Sequence, residues 1–152
     1  VVLAVAPAVA PRVQKPASEA ALLAGSEISV TESGGIAGRV HSVKLTASSG
    51  KVSVEYRARE VPPNTPAFTG ALAAERYIAL WRDLEAADVW EMQSPKPTRG
   101  ADLIQTEFRI RLGESSRLIS WDDGGAVTPE IRRLAEVARR ALAAGRDSAF
   151  SR

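Results

Sequence analysis

The sequence predicts an α+β domain: an antiparallel sheet of about five strands, in the order β-β-β-α-β-β-α, with two helices packed on one face. Three observations carry that expectation. Lys51 to Arg59 alternates Val52, Val54, Tyr56 and Ala58 with Lys51, Ser53, Glu55, Arg57 and Arg59, the period of a strand with one buried face. Leu103 to Leu112 does the same, with Ile104, Thr106, Phe108, Ile110 and Leu112 against Gln105, Glu107, Arg109 and Arg111. Two further stretches repeat apolar residues at helical spacing: Leu72, Ala73, Tyr77, Leu80, Trp81 and Leu84, then Ile131, Leu134, Ala135, Ala138, Ala141 and Leu142. Half-polar strands joined by short turns suit a single sheet with helices on one side only.

The chain has 152 residues, enough for one domain with a core and short for two. Its 20 Lys and Arg against 18 Asp and Glu leave a formal charge of +2, too little to imply nucleic acid or an anionic membrane. There is no cysteine and one histidine, His41, which rules out disulfides, thiolate zinc sites and cysteine nucleophiles. A Ser-His-Asp triad has to use His41, which falls in a predicted strand with no nucleophile elbow beside it. No cofactor and no metal is expected.

Residues 1–26 are read as a flexible Ala/Pro-rich segment. Val1 to Ala10 is apolar, but Pro7 breaks it, and ten residues are too few to span a bilayer. Ala8-Val9-Ala10 has the small-residue pattern that ends a signal peptide, which implies a periplasmic or secreted protein. The competing reading is a plain linker, which leaves a cytoplasmic location open. Pro11 to Gly25, rich in Ala, Pro and Ser, is expected to be a mobile tether.

The folded unit is expected over 27–145. Ile28 and Val30 open a strand, and a return strand runs from Arg39 to Ala47. Ser48-Ser49-Gly50 turns into the Lys51 strand. Val61 to Gly70, with Pro62, Pro63 and Pro66, reads as a connector. The first helix is expected over Ala71 to Ala87 with Thr69 as N-cap. Asp88 to Gly100 reads as a long loop in which Trp90 and Met92 cover an edge of the core. Gly113-Glu114-Ser115 joins the Leu103 strand to Ser116–Trp121 as a hairpin, and Asp122-Asp123-Gly124-Gly125 ends it. Thr128 caps the last helix with Pro129 at its first position, Gly145 is placed at its end, and residues 146–152 form a tail.

Ser33-Gly34-Gly35-Ile36-Ala37-Gly38 is the stretch with the most to say about function. Three glycines within five residues let the backbone take angles closed to other residues, and they bracket one branched apolar side chain. One reading is a protruding recognition loop with Ile36 as its apolar anchor. The other is a glycine-rich bulge with Ile36 tucked into the core. Asp122 and Asp123 lack the alternating oxygen ligands and distant glutamate of a calcium loop, so a plain turn is the better reading. Charges on the outer faces of the strands read as cross-strand pairs. Arg132, Arg133, Arg139 and Arg140 form a basic helix face with no aromatic or glycine-rich element to read nucleic acid.

Taken together, several stretches resemble the emfourin family, the protealysin inhibitors. They are Ser33-Gly34-Gly35-Ile36-Ala37-Gly38, Leu84-Glu85-Ala86-Ala87-Asp88, Gly100-Ala101-Asp102 with the Arg-rich strand after it, and Trp121-Asp122-Asp123-Gly124 ahead of Pro129. Those proteins are small, bacterial, and often encoded beside the thermolysin-like zinc metallopeptidase they block. The resemblance covers roughly Ile28 to Leu142. It implies an inhibitor that closes a protease cleft with loops at one end of its sheet. It assigns partner contacts to Ser33, Gly34, Gly35, Ile36, Ala37 and Gly38, with Asp122 and Asp123 near the same end. Thermolysin-like enzymes favour an apolar side chain just after the scissile bond, the pocket Ile36 is expected to fill. The chain departs from the pattern in its N-terminal segment and in a longer insertion over Glu55 to Thr69, which bears on the inhibitory surface.

The alternative reading is a non-catalytic, envelope-associated structural or adaptor domain without a protease partner. A native pull-down, or the presence of a metallopeptidase gene next door, separates the two. An enzyme ranks third, because the sequence announces no pocket of convergent ionisable groups.

Overall fold

The computed structural model describes residues 15–62, 64–125 and 127–150. The Val1–Ala10 stretch, on which the export reading rests, lies outside them.

Alternating apolar residues do build the sheet. Its strands are β1 (Gly25–Gly34), β2 (His41–Ser48), β3 (Lys51–Arg57), β4 (Phe68–Leu72), β5 (Ile104–Leu112) and β6 (Ser115–Asp122). They lie in the order β4-β3-β2-β1-β5-β6, every neighbouring pair antiparallel. Ile28 and Val30, Val43 and Leu45, Val52 and Val54, and Phe108 and Ile110 are buried on one face. Lys51, Ser53, Glu55, Gln105, Glu107 and Arg109 are exposed on the other. Helices α2 (Ala74–Ala86) and α3 (Pro129–Phe150) supply the opposing layer through Tyr77, Leu80, Trp81 and Leu84, and through Ile131, Leu134, Ala138, Ala141 and Leu142. Trp90 and Met92 cover an edge of this core as expected: Met92 is buried, and Trp90 stacks on Trp81 with ring centroids 6.4 Å apart.

The architecture is the one expected, with four local corrections. The first is β4. Residues 68–72 were expected to end a connector and begin a helix capped by Thr69; they pair with β3 in the register Tyr56↔Phe68 to Val52↔Leu72. Helix α2 starts only after Ala73, which offers no side-chain cap. The free edge of β3 needs backbone partners, and that need overrides the helix preference of a short Ala-rich run.

The second correction is in the expected tether, where Glu19–Ala24 forms a short helix, α1, with Ser18 Oγ accepting from Ala21 N–H at 3.1 Å. Leu22 is fully buried. Ser26 Oγ, also buried, donates to the Leu22 carbonyl and meets the Tyr77 hydroxyl at 2.7 Å, which fastens α1 and β1 to α2. The chain thus enters the core before Glu27.

The third and fourth concern α3. It begins as expected, Thr128 Oγ1 accepting from Ile131 N–H at 3.3 Å. It then runs through Gly145 to Phe150, so Gly145 is no terminator and the expected tail is helical as far as Phe150. A Cβ at Gly145 would stand 2.6 Å from Val43 Cγ2 and 2.9 Å from Tyr56 Cδ2. The glycine is there because α3 crosses the sheet at that point with no room for a side chain. No described helix is long and apolar enough to cross a membrane.

Candidate functional site

One end of the sheet gathers the β1–β2 loop, the start of β5 and the end of β6. Gly34 pairs with Ile104, whose carbonyl in turn accepts from Asp123 N–H at 3.1 Å. The predicted loop residues and the two aspartates therefore share one end of the molecule.

Ser33 and Gly34 are the last residues of β1, opposite Gln105 and Ile104. At Gly34 the backbone turns to φ 102°, and a Cβ would lie 2.3 Å from the Leu103 carbonyl oxygen. Only glycine fits there. Gly35 follows at φ 74° and donates its N–H to that same carbonyl at 3.3 Å. Gly38, at φ 58°, closes the turn by donating to the Gly35 carbonyl at 3.1 Å. From the other side, Arg59 Nη2 donates to the Gly34 carbonyl at 3.4 Å. The base of the tip is thus held by β5 and by a guanidinium from beyond β3.

What this frame displays is Ile36. Its side chain is 92% exposed, more than that of any other large apolar residue described. The reading with Ile36 folded into the core is excluded. Ala37 is exposed beside it, and Val40 is 40% exposed on the return toward β2. Residues 34–38 carry no ionisable side chain, so the apex offers apolar and backbone contacts and no acid–base chemistry.

The aspartates are placed differently. Asp122 Oδ2 accepts from Thr98 N–H at 2.7 Å and Oδ1 from Gly124 N–H at 3.0 Å. The Thr98 backbone amide first, then the Thr98 side chain and the Gly124 and Gly125 amides, hold its carboxyl below the usual value of 3.8. Asp123 Oδ1 accepts from Ile104 N–H at 2.9 Å. Both carboxylates fasten the loop end: Asp122 binds residues 98 and 124, and Asp123 binds the first residue of β5. Among the described residues, no group of three or more His, Asp or Glu side chains is arranged to hold a metal ion.

His41 opens β2 directly behind the tip, opposite Glu32. Its Nε2 lies 3.0 Å from the Tyr56 hydroxyl, and burial is the main cause that lowers its pKa below 6.5, against the raising pull of Glu32 and Glu60. A cleft of about 370 Å³ between α3 and the ends of β1, β5 and β6 flanks this region, lined by Glu32, Ile104, Thr106, Trp121, Asp123 and Arg139 among others. A larger cavity, about 510 Å³, lies beside α2 around Trp81, Trp90, Arg82 and Glu85, and no residue of the tip lines it.

The residues that hold the tip were not among those predicted. Leu103 acts through a backbone carbonyl, which has no signature in sequence, and Arg59 reads as one more strand-surface charge until the register is known. Comparison with protein-family models gives no match, and no curated protein matches this chain.

Proposed function

We propose that the chain is a protein inhibitor of a thermolysin-like zinc metallopeptidase, and that it blocks the enzyme's cleft with the 34–38 tip. The observation that carries this reading is Ile36: a branched apolar side chain, 92% exposed, at the apex of a turn whose base is tied to β5. Exposing such a residue on a built, glycine-shaped turn has a physical purpose when a partner buries it. Full burial of an aliphatic side chain contributes about 1.5–3 kcal/mol. The frame supplies a second advantage, because a turn already held in shape loses little freedom on binding.

In this reading Ile36 enters the apolar pocket just beyond the scissile position. Gly34, Gly35 and Gly38 bring the backbone close to the cleft wall, and Ser33 and Ala37 flank the contact. Asp122 and Asp123 act behind the contact by keeping residues 98–104 and 122–125 in place. The sequence resemblance to protealysin inhibitors points the same way. Steady-state assay of a thermolysin-like metallopeptidase against a short peptide substrate tests it. Added chain should raise the apparent KM and leave kcat unchanged; no inhibition at micromolar concentrations would end the proposal.

A further inference from the structure

The helix-facing side of the sheet changes character at its last row before the tip. Val43, Val30, Phe108 and Ile119 face one another across four strands, and all are buried. One row nearer the tip, the same four strands place His41, Glu32, Thr106 and Trp121 in register. Strand alternation puts the two rows on the same side. There α3 offers Ala135 and Ala138, whose methyls are too short to fill the space, and the cleft of about 370 Å³ is what remains.

The polar groups lining this cleft are short of partners. Thr106 is only 8% exposed, yet its hydroxyl makes no hydrogen bond among the described residues. Burying a hydroxyl unpaired is costly. Ser26, the other buried polar residue, shows the usual arrangement, its hydroxyl bonded to Leu22 and Tyr77. Glu32 is half-buried and in no ion pair among the described residues; its row neighbour His41 is engaged with the Tyr56 hydroxyl. Asp123 spends Oδ1 on the Ile104 amide, and its Oδ2 has no hydrogen bond among the described residues. The cation on the wall, Arg139, is turned to Glu136 at 2.8 Å. An apolar slot is thus fitted with two unneutralised carboxylates and a free hydroxyl.

We infer that this cleft is a subsite for an arginine side chain of the partner that buries Ile36. An arginine stem is apolar enough to lie on Ile104, Ala135 and Ala138 while its head stays charged. The guanidinium is planar, stacks on the Trp121 ring, and carries enough N–H donors to reach Glu32, Asp123 and the Thr106 hydroxyl together. A neutral or anionic side chain leaves the carboxylates unmatched. The cleft adjoins the tip, because Gly34 pairs with Ile104, so one partner reaches both. Which protein carries the arginine rests on the inhibitor reading; the affinity of the cleft for the group does not.

The test therefore uses a small probe and no protease. N-acetylarginine N-methylamide is titrated into the full chain and followed by amide and indole NMR signals. The Glu32 and Thr106 amides and the Trp121 indole should shift together and saturate in the millimolar range. The citrulline analogue, equal in shape and uncharged, should shift none of them. Glu32→Gln should weaken binding about tenfold, the usual scale for losing a charged hydrogen-bond partner. Ala135→Leu fills the cleft without altering its charge and should abolish the shifts, with the circular dichroism spectrum unchanged in both variants. No saturable shift in the unaltered chain overturns the inference, as does equal binding of citrulline or equal binding by Glu32→Gln and Ala135→Leu. Binding of the probe by a chain that inhibits no metallopeptidase would remove the inhibitor reading and leave the subsite.

Discussion

The 34–38 tip and the 122–125 turn sit at the same end of the sheet, each with two adjacent glycines, and they are built for opposite purposes. In the turn, side chains hold backbone: the Asp122 and Asp123 carboxylates accept from Thr98, Gly124 and Ile104 amides. In the tip, backbone holds backbone with the Arg59 guanidinium as the one side chain that helps, and the side chain at the apex is left exposed. The Leu103 carbonyl, the Gly35 and Gly38 amides and the Arg59 guanidinium fix the shape, and Ile36 projects from it. Glycine content alone does not separate a displayed loop from a fastened one. The direction of the hydrogen bonds does.

Substitutions at the two loops can break this contrast, and they rank by their effect on the fold. The largest effect is expected at Gly34→Ala. The new methyl meets a backbone oxygen that cannot move aside, at a φ that L-residues avoid. Thermal unfolding should show a loss of about 3 kcal/mol, roughly 6–12 °C in Tm for a chain of this size. A wild-type Tm would mean that the close approach to Leu103 is not formed.

Asp122→Ala comes next, because it leaves the Thr98 and Gly124 amides without their partner. Tm should fall by a few degrees, less than for Gly34→Ala, with inhibition weakened only to the extent that residues 98–104 loosen. The same carboxylate sets a pH dependence. Its pKa is lower in the folded chain, so its contribution is fully present above the ordinary value of 3.8 and fades as pH falls through the lowered value. Acid unfolding of Asp122→Ala should lack that component; matching acid transitions in the two proteins would remove Asp122 as a fastener.

Much of the fold was legible because burial imprints a period. Val52, Val54 and Tyr56 announce β3, Thr106, Phe108 and Ile110 announce β5, and Thr128-Pro129 marks the start of α3. The misses are places where a distant partner decides. Nothing in Phe68–Leu72 alternates, and only the edge of β3 makes it a strand. Ser18-Glu19 is a fair helix start, but the prolines and serines around it read as tether. Gly145 has the composition of a helix end and serves instead as the gap through which Val43 and Tyr56 touch α3. At the site, three glycines marked the tip. Its supports come from residues 59 and 103, remote in sequence, and appear only once the register is known.

The smallest effect on the fold belongs to His41, behind the tip. As the only histidine it gives a single imidazole signal by NMR. That signal should titrate below 6.5, because burial disfavours the charged ring. Stability attributable to it should therefore decline as pH falls from 6.5 toward the lowered value. A midpoint at or above 6.5 would show the ring better solvated, or better paired with Glu32, than the structure has it.

The sharpest separation of display from fastening is the inhibition constant of Ile36→Asp against a thermolysin-like metallopeptidase, measured beside its Tm. With Ile36 as the buried anchor, affinity should drop about 30-fold or more, the range of a central contact residue, while Tm stays within about 1–2 °C of wild type. Unchanged inhibition with unchanged Tm would contradict the account, because the displayed side chain would then not be what the partner holds.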